Sequence, residues 1–321
     1  MAEPAQRESY TRRAPSGAGG YTARILAIVA VNLVLVLAAV ILASLGDGKL
    51  PDINAQTLAV GVLPVSAALG LVLSCRRLDL SLPVILVLAL ALQSKRYIVV
   101  GAPILPTVTI CALAGGVGLA SALVTWYGRI SSALWTGIVA FGLFLLLSIL
   151  KGVSPGAGPW PWPWALMLSV GVLAGGAAIL GVTGLVSPPS LPPIIRAGSR
   201  GIAGLAAAWI VAGVGVSLGS LSNAARISAG ELQNSYPLML SAAALGGAFI
   251  LRGRWGALAA VLLTCLGHLA WSFAWNAYLG EGIAEILIPG AVPLVVIPLY
   301  LGIDWLVRRH TSESSPTGLL A

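Results

Sequence analysis

The chain has 321 residues, of which 58% are hydrophobic and only 9% are charged. A single water-soluble core of this length cannot bury so many apolar side chains, so the composition excludes a soluble globule and predicts an all-α, polytopic membrane protein. The formal net charge is +8, and the loop positions of the basic residues explain it without a nucleic-acid partner.

Ten apolar segments with roughly the length of a membrane span follow one another along the chain. The third and the eighth are short for a straight crossing, so we expect half-helices, re-entrant segments or helices broken inside a protein-lined cavity. Together the segments define a transmembrane domain at 25–307. The ten are Ile25 to Leu45, Gln56 to Cys75, Leu80 to Leu92, Ile104 to Trp126, Ala133 to Leu150, Trp164 to Leu185, Ile202 to Leu218, Tyr236 to Leu251, Leu258 to Ala277 and Ile283 to Val307.

The basic residues predict how these segments are oriented. With ten crossings both termini lie on one side, and 13 of the 18 Lys and Arg residues fall there, so the positive-inside rule makes that side cytoplasmic. We therefore expect a multi-pass protein of the cell membrane, with a disordered cytoplasmic N-terminal tail at 1–24 and a cytoplasmic C-terminal tail at 308–321. The 13 are Arg7, Arg12, Arg13, Arg24, Arg76, Arg77, Arg129, Arg196, Arg200, Arg252, Arg254, Arg308 and Arg309, against Lys49, Lys95, Arg96, Lys151 and Arg226 on the other side.

Motifs of soluble enzymes are missing from the chain. It contains no GxxxxGK[ST] phosphate loop and no HExxH pair, and its three cysteines have no metal-ligand spacing. We therefore expect no catalytic residue, no cofactor and no metal ion in this chain. One of the two histidines, His268, lies among Leu, Ala and Trp, where a packing role is commoner than a proton relay.

Two stretches contain polar and glycine residues in a characteristic order. They are RRLDLSLPVILVLALAL at 76–92 and NSYPLMLSAAALGGAFILRGRWGALAAVLLTCLGHL at 234–269. Both resemble signature sequences of permease subunits from bacterial ATP-binding-cassette importers of the ribose and simple-sugar type, within the branched-chain amino acid and sugar permease family. The last segment, ending in GIDWLVRRH, is also similar to that family's last helix. The matching residues are Asp79, Ser81, Tyr236, Gly246, Gly247, Arg252 and Gly253.

The resemblance implies a transport subunit that is not itself an enzyme. Two permease copies, alike or different, would form a pathway at their interface, and an extracytoplasmic solute-binding protein would deliver the solute. ATP hydrolysis would take place in separate ATPase subunits and drive alternating access. The implied solute is a monosaccharide or a related small polar molecule.

The chain departs from the family pattern at two places. Arg76 and Arg77 stand where the family has Gly-Gly, and Leu82 and Pro83 stand where it has Val-Gly. The cytoplasmic loop after the sixth segment, 186–201, is short and rich in proline, whereas the family carries a longer coupling helix there. The prolines restrict the backbone of this loop, and the two isoleucines offer an apolar anchor, so the loop could still bind an ATPase. The candidate ATPase-docking residues are Ile194, Ile195 and Arg196.

Polar residues within or beside the segments are the candidates for the solute pathway. Asp79 precedes the third segment, where its carboxylate can accept hydrogen bonds from the first backbone N–H groups, so we expect Asp79 and Ser81 to cap a helix. The pathway candidates are equally suited to hydrogen-bond one helix to another. They are Asn32, Gln56, Ser66, Gln233, Asn234 and Asn276.

Two other functions remain open from the sequence. A secondary carrier or channel working without an ATPase would fit the shortened 186–201 loop, but the sequence offers no convincing ion or proton site for it. A non-transporting membrane scaffold, such as the silent half of a heterodimer, would need neither a pathway nor coupling.

Overall fold

The computed structural model describes residues 18–45, 63–75, 77–94, 104–149, 160–185, 199–222 and 255–278, together with 239, 242–243, 246–248, 251, 298 and 302. Within these residues the regular structure is helical, which confirms the all-α prediction. The single exception is an isolated parallel bridge between Trp160 and Ser222. Of the predicted segments, Tyr236 to Leu251 and Ile283 to Val307 lie outside the described residues except for isolated positions.

The described residues form eight helices, each at the position of a predicted segment. α7 lies at the centre of the bundle, where it packs against α2, α3, α4 and α6, and α1 packs against α8. The helices are α1 (Ala18–Leu45), α2 (Leu63–Ser74), α3 (Leu82–Ser94), α4 (Ile104–Tyr127), α5 (Ser132–Ile149), α6 (Trp162–Val182), α7 (Ser199–Gly219) and α8 (Gly256–Tyr278).

Three stretches of helix are long and apolar enough to cross a membrane by length and composition. They are Thr107–Tyr127 in α4, Trp162–Val182 in α6 and Gly201–Gly219 in α7. At a rise of 1.5 Å per residue, a helix of about 20 residues matches a hydrocarbon core of about 30 Å. α3 has only 13 residues, as expected for the short third segment, and α2, with 12 described residues, is buried over almost its whole length.

Contacts between helices define two ends of the bundle. α4 and α7 are antiparallel, since Gly118 lies against Trp209 and Ala114 against Gly213. α6 and α7 are also antiparallel, because the backbone N–H of Trp160, just before α6, donates to the carbonyl of Leu221 beyond the end of α7. We call the end that contains Trp160 and Ser222 the bridge end.

The opposite end, which we call the loop end, contains the α2–α3 loop (77–81) and the α4–α5 turn (128–131). These are joined because the backbone N–H of Leu78 donates to Ser132 Oγ at 3.2 Å. α2 and α8 are antiparallel, so α8 begins at the loop end, as α7 does.

Two boundaries differ from the sequence prediction. α1 begins at Ala18, seven residues before the apolar segment, and Arg24 is therefore helical and buried. Long basic side chains can continue a helix past its apolar part because their stems pack while the charge reaches a polar partner. Asn276 is in α8, but its side chain is outside the described part.

Candidate functional site

A small polar cluster lies between α2 and α8. The hydroxyl of Ser66 and Nδ1 of His268 are 3.0 Å apart and share a hydrogen bond, and both residues are fully buried. Thr264, one helical turn before His268, is also fully buried on the same face of α8. We call Ser66, Thr264 and His268 the polar core.

Glycines let the backbone approach the polar core closely. A Cβ built on Gly70 of α2 would lie 2.6 Å from Thr264 Oγ1, and one built on Gly246 would collide with Thr264. Thr264 Oγ1 has no hydrogen-bond partner among the described residues. Gly246, in a turn, thus lets its backbone lie directly against α8, and Gly247 adopts a φ of 75° that favours glycine.

Helix α1, which packs against α8, carries a buried amide. Gly247, next to Gly246, lies against Ile28 of α1, and Asn32 is one turn further along α1. Asn32 is buried, and its Nδ2 donates to the carbonyl of Ile28 at 3.0 Å. α8 packs against both α1 and α2, and each of the three helices contributes a buried polar side chain.

Asp79 is the second buried polar feature, and it lies in the α2–α3 loop. Its Oδ1 accepts hydrogen bonds from the backbone N–H of Ser81 at 2.8 Å and from the Ser81 hydroxyl at 2.6 Å. The carbonyl of Ser81 in turn accepts from the N–H of Ile85 in the first turn of α3. Asp79 therefore fixes the residue at which α3 begins, which is a capping role.

Side chains of α5 hold the same loop in place. Thr136 Oγ1 accepts from the N–H of Leu80 at 3.0 Å, one turn beyond the bond between Leu78 and Ser132. Thr136 is fully buried, and its hydroxyl donates to the carbonyl of Ser132 at 2.7 Å. The loop is thus anchored at both its start and its end.

The environment of Asp79 alters its acidity. Burial raises the pKa of the carboxyl group above its ordinary value, and the two bonds from Ser81 act against that rise. The Trp209 indole on α7 also lowers the pKa, although its Nε1 makes no hydrogen bond of good geometry to a described residue.

The groups of the polar core are suited to hydrogen bonding. The described residues contain no group of three or more His, Cys, Asp or Glu that could hold a metal ion. Hydroxyl, amide and imidazole groups, as in the polar core and Asn32, can exchange hydrogen bonds with a neutral polar molecule.

Only part of the predicted site falls within the described residues. Asn32 and Ser66 lie near α8 as described, and Asp79, Ser81, Gly246 and Gly247 occupy loops or turns that fix helix positions. The side chain of Asn276 and all of the remaining candidates lie outside the described part of the chain. They are Gln56, Gln233, Asn234, Tyr236, Arg252, Gly253, Ile194, Ile195 and Arg196.

Sequence reasoning missed several participants. Thr264 and His268 are four residues apart, which places them on one helix face, but nothing in the sequence pairs that face with Ser66. Ser132, Thr136 and Trp209 have ordinary positions in apolar segments, and only the packing of α5 and α7 brings them to the Asp79 loop.

Comparisons with protein-family models, with curated proteins and with solved structures found no match to this chain. The similarity to importer permeases therefore remains a resemblance of motifs.

Proposed function

We propose that this chain is a transport permease whose solute pathway passes the polar core. The observation that carries the proposal is the hydrogen bond between Ser66 and His268, with Thr264 beside it, inside a bundle of apolar helices. Ionisable groups are expensive within a bilayer, so a histidine that is retained there is a candidate for a pathway or a binding site.

The arrangement of the described helices supports ten alternating crossings with cytoplasmic termini. α7 ends at the bridge end with Ser222, whereas α8 begins at the loop end with Gly256. The chain has to change ends between them, which favours a further crossing in the predicted segment Tyr236 to Leu251. Arg77 and Arg129 are both at the loop end, the end that this proposal assigns to the cytoplasm.

Aromatic residues at both ends support a membrane location. Trp160 and Trp164 are exposed at the bridge end, and Tyr127 and Trp255 are exposed at the loop end. Tryptophan and tyrosine concentrate at both surfaces of a bilayer because their rings are amphipathic. The helices between these residues present exposed apolar side chains, as lipid contact requires.

The solute class follows from the groups in and around the polar core. Ser66, Thr264, His268 and Asn32 combine donors and acceptors, and no described carboxylate lies among them. These groups suit a neutral hydroxylated solute, and a monosaccharide fits both this chemistry and the motif resemblance.

The energy source and the partners in this proposal rest on the resemblance. A second permease copy would complete the pathway, a solute-binding protein would deliver the solute from outside, and an ATPase would dock at Ile194, Ile195 and Arg196 in the loop before α7. Because α7 packs against four other helices, a displacement of its first turn by the ATPase would also shift those helices.

One observation favours a second candidate, a proton-linked carrier that needs no ATPase. His268 is an ionisable residue in the bundle interior with a hydrogen-bonded partner on another helix. Histidine can change its charge near neutral pH, and buried histidines serve as proton relays in some carriers.

Uptake by proteoliposomes, with the solute-binding protein outside and ATP inside, tests the proposal. We expect uptake of a labelled monosaccharide only with a partner ATPase and ATP, and we expect Ser66→Ala to change its rate or solute preference. Ser169→Ala is the matched control, because Ser169 is equally buried and donates across helices to the Gly215 carbonyl at 2.6 Å, away from the polar core. Uptake driven by a proton gradient without the ATPase would instead establish the second candidate.

A further inference from the structure

Arg129 is an exposed arginine in a backbone conformation that arginine rarely adopts. Its φ is 51°, the only positive φ at a non-glycine position among the described residues. It follows α4 in the turn at 128–131, where Gly128 still donates to the carbonyl of Val124. Glycine adopts a positive φ without crowding its Cβ, so local preference does not explain an arginine here.

The charge of Arg129 is not neutralised within the described part of the chain. Its guanidinium makes no ion pair there, and neither does that of Arg77, which the bond between Leu78 and Ser132 brings to the same end. Asp79 is the only carboxylate with a described side chain, and it is 2% exposed and engaged by Ser81. At the loop end Arg129 is therefore exposed and Arg77 half-buried, and neither charge is paired with a described carboxylate.

The surroundings of Arg129 are those of a membrane rim. Tyr127, two residues earlier, is 73% exposed, and Leu134 and Ile138 begin an exposed apolar face on α5. Apolar side chains with this exposure contact lipid chains, and tyrosine belongs at headgroup level. Arg129 thus lies where the apolar surface of α4 and α5 ends, rather than in the middle of the loop end.

We propose that Arg129, together with Arg77 at the same end of the bundle, binds the phosphate of an anionic phospholipid headgroup. A guanidinium can donate two parallel N–H bonds to phosphate oxygens, and juxtamembrane arginines are attracted to anionic leaflets. The inference requires membrane insertion but not transport, so it stands or falls independently of the proposed function. The competing occupant is an acidic surface of a protein partner, which the position beside the apolar face of α5 disfavours.

The test measures thermal unfolding of the full chain in nanodiscs of phosphatidylcholine alone and of phosphatidylcholine with one third phosphatidylglycerol. We expect the wild type to unfold about 2 to 4 °C higher with phosphatidylglycerol. Arg129→Gly and Arg129→Asn should lose most of this shift, because both residues tolerate a positive φ but carry no charge. Arg129→Lys should keep part of it, since lysine attracts a phosphate without the paired geometry.

A second variant needs no backbone change. Arg77→Gln should reduce the shift while leaving the Arg129 turn intact, which covers the case in which a substitution at 129 fails to fold. In phosphatidylcholine alone, Arg129→Gly should unfold at or above the wild-type temperature because the backbone is no longer strained.

Four results would overturn the proposal. An equal loss of stability in both lipids on Arg129→Gly would mean that arginine serves the C-terminus of α4 through the helix dipole. An undiminished phosphatidylglycerol shift in Arg129→Gly and Arg77→Gln, or no shift in the wild type, would show that no such site exists here. Loss of a co-purifying ATPase with an unchanged lipid shift would assign the surface to a protein partner.

Discussion

A Cβ built on Gly213 of α7 would lie 2.6 Å from the carbonyl oxygen of Ala114 on α4, so these two helices touch backbone to backbone. The contact is repeated further along, where a Cβ on Gly118 of α4 would lie 2.6 Å from the carbonyl oxygen of Trp209. Small residues at such crossings allow dispersion contacts between helices in a medium without a hydrophobic driving force.

Substitution of these glycines should separate α4 from α7. Gly118→Ala and Gly213→Ala force a methyl group onto a backbone carbonyl that cannot rotate away, and we expect each to cost about 1 to 3 kcal/mol of stability. Gly116→Ala is the matched control on α4, because a Cβ there meets nothing within 4 Å. It should be neutral or stabilise by up to about 1 kcal/mol through helix propensity. Thermal unfolding in detergent measures all three, and equal tolerance of Gly118→Ala and Gly116→Ala would contradict the close contact.

Removal of the Asp79 side chain should loosen the start of α3. Asp79→Ala deletes the acceptor for the Ser81 N–H and hydroxyl, and the loss of a capping residue costs about 1 kcal/mol or somewhat more. Asp79→Asn keeps an oxygen acceptor, so we expect a much smaller loss. Protease accessibility of the α2–α3 loop, measured with thermal unfolding, separates the two variants. Equal damage by both would mean that the negative charge itself is required.

The raised pKa of Asp79 gives this carboxyl a pH signature. The protonated form is favoured in the folded chain, so the stability that it contributes is complete below the ordinary pKa of 3.8 and is lost as the pH rises through the raised pKa. The wild type should therefore lose stability relative to Asp79→Asn over that window as the pH rises from below 3.8. A constant difference between the two unfolding temperatures across the same titration would be inconsistent with a carboxyl desolvated by burial.

The hydrogen bond of the polar core predicts coupling between two distant positions. Ser66→Ala and His268→Phe should each destabilise the bundle, and the double variant should lose about 1 kcal/mol less than the sum of the two, because both single changes remove one shared bond. Ser169→Ala combined with His268→Phe is the control cycle and should be additive. Additivity in both cycles would show that the Ser66 hydroxyl and the His268 ring do not stabilise each other.

The sequence predicted those structural features that depend on residues close together along the chain. Apolar runs placed eight helices, and the order Asp79, Leu80, Ser81 predicted a cap, because the carboxylate and the N–H that it accepts from are two residues apart. The number of crossings and their orientation remain proposals.

What the sequence did not predict depends on packing between distant segments. Ser66 and His268 are separated by 202 residues. Because no acidic residue lies near His268 in the sequence, no pattern of charges indicates that these two residues meet. Ser222 shows the same limit, since its place in a polar loop suggests exposure but the bridge to Trp160 buries it fully.

The two ends of the bundle make the orientation testable with single cysteines. In a background in which Cys75, Cys111 and Cys265 are replaced by alanine, a membrane-impermeant maleimide reports which end faces outward. Ser131→Cys and Thr183→Cys are exposed at the loop end, the proposed cytoplasmic side, and should be labelled only after cells are permeabilised. Trp160→Cys is exposed at the bridge end and should be labelled on intact cells, whereas a cysteine at the buried position Ser222 should react slowly. Labelling of Ser131→Cys and Thr183→Cys from outside would invert the orientation, and opposite results at these two positions would show that the loop end is not one membrane face.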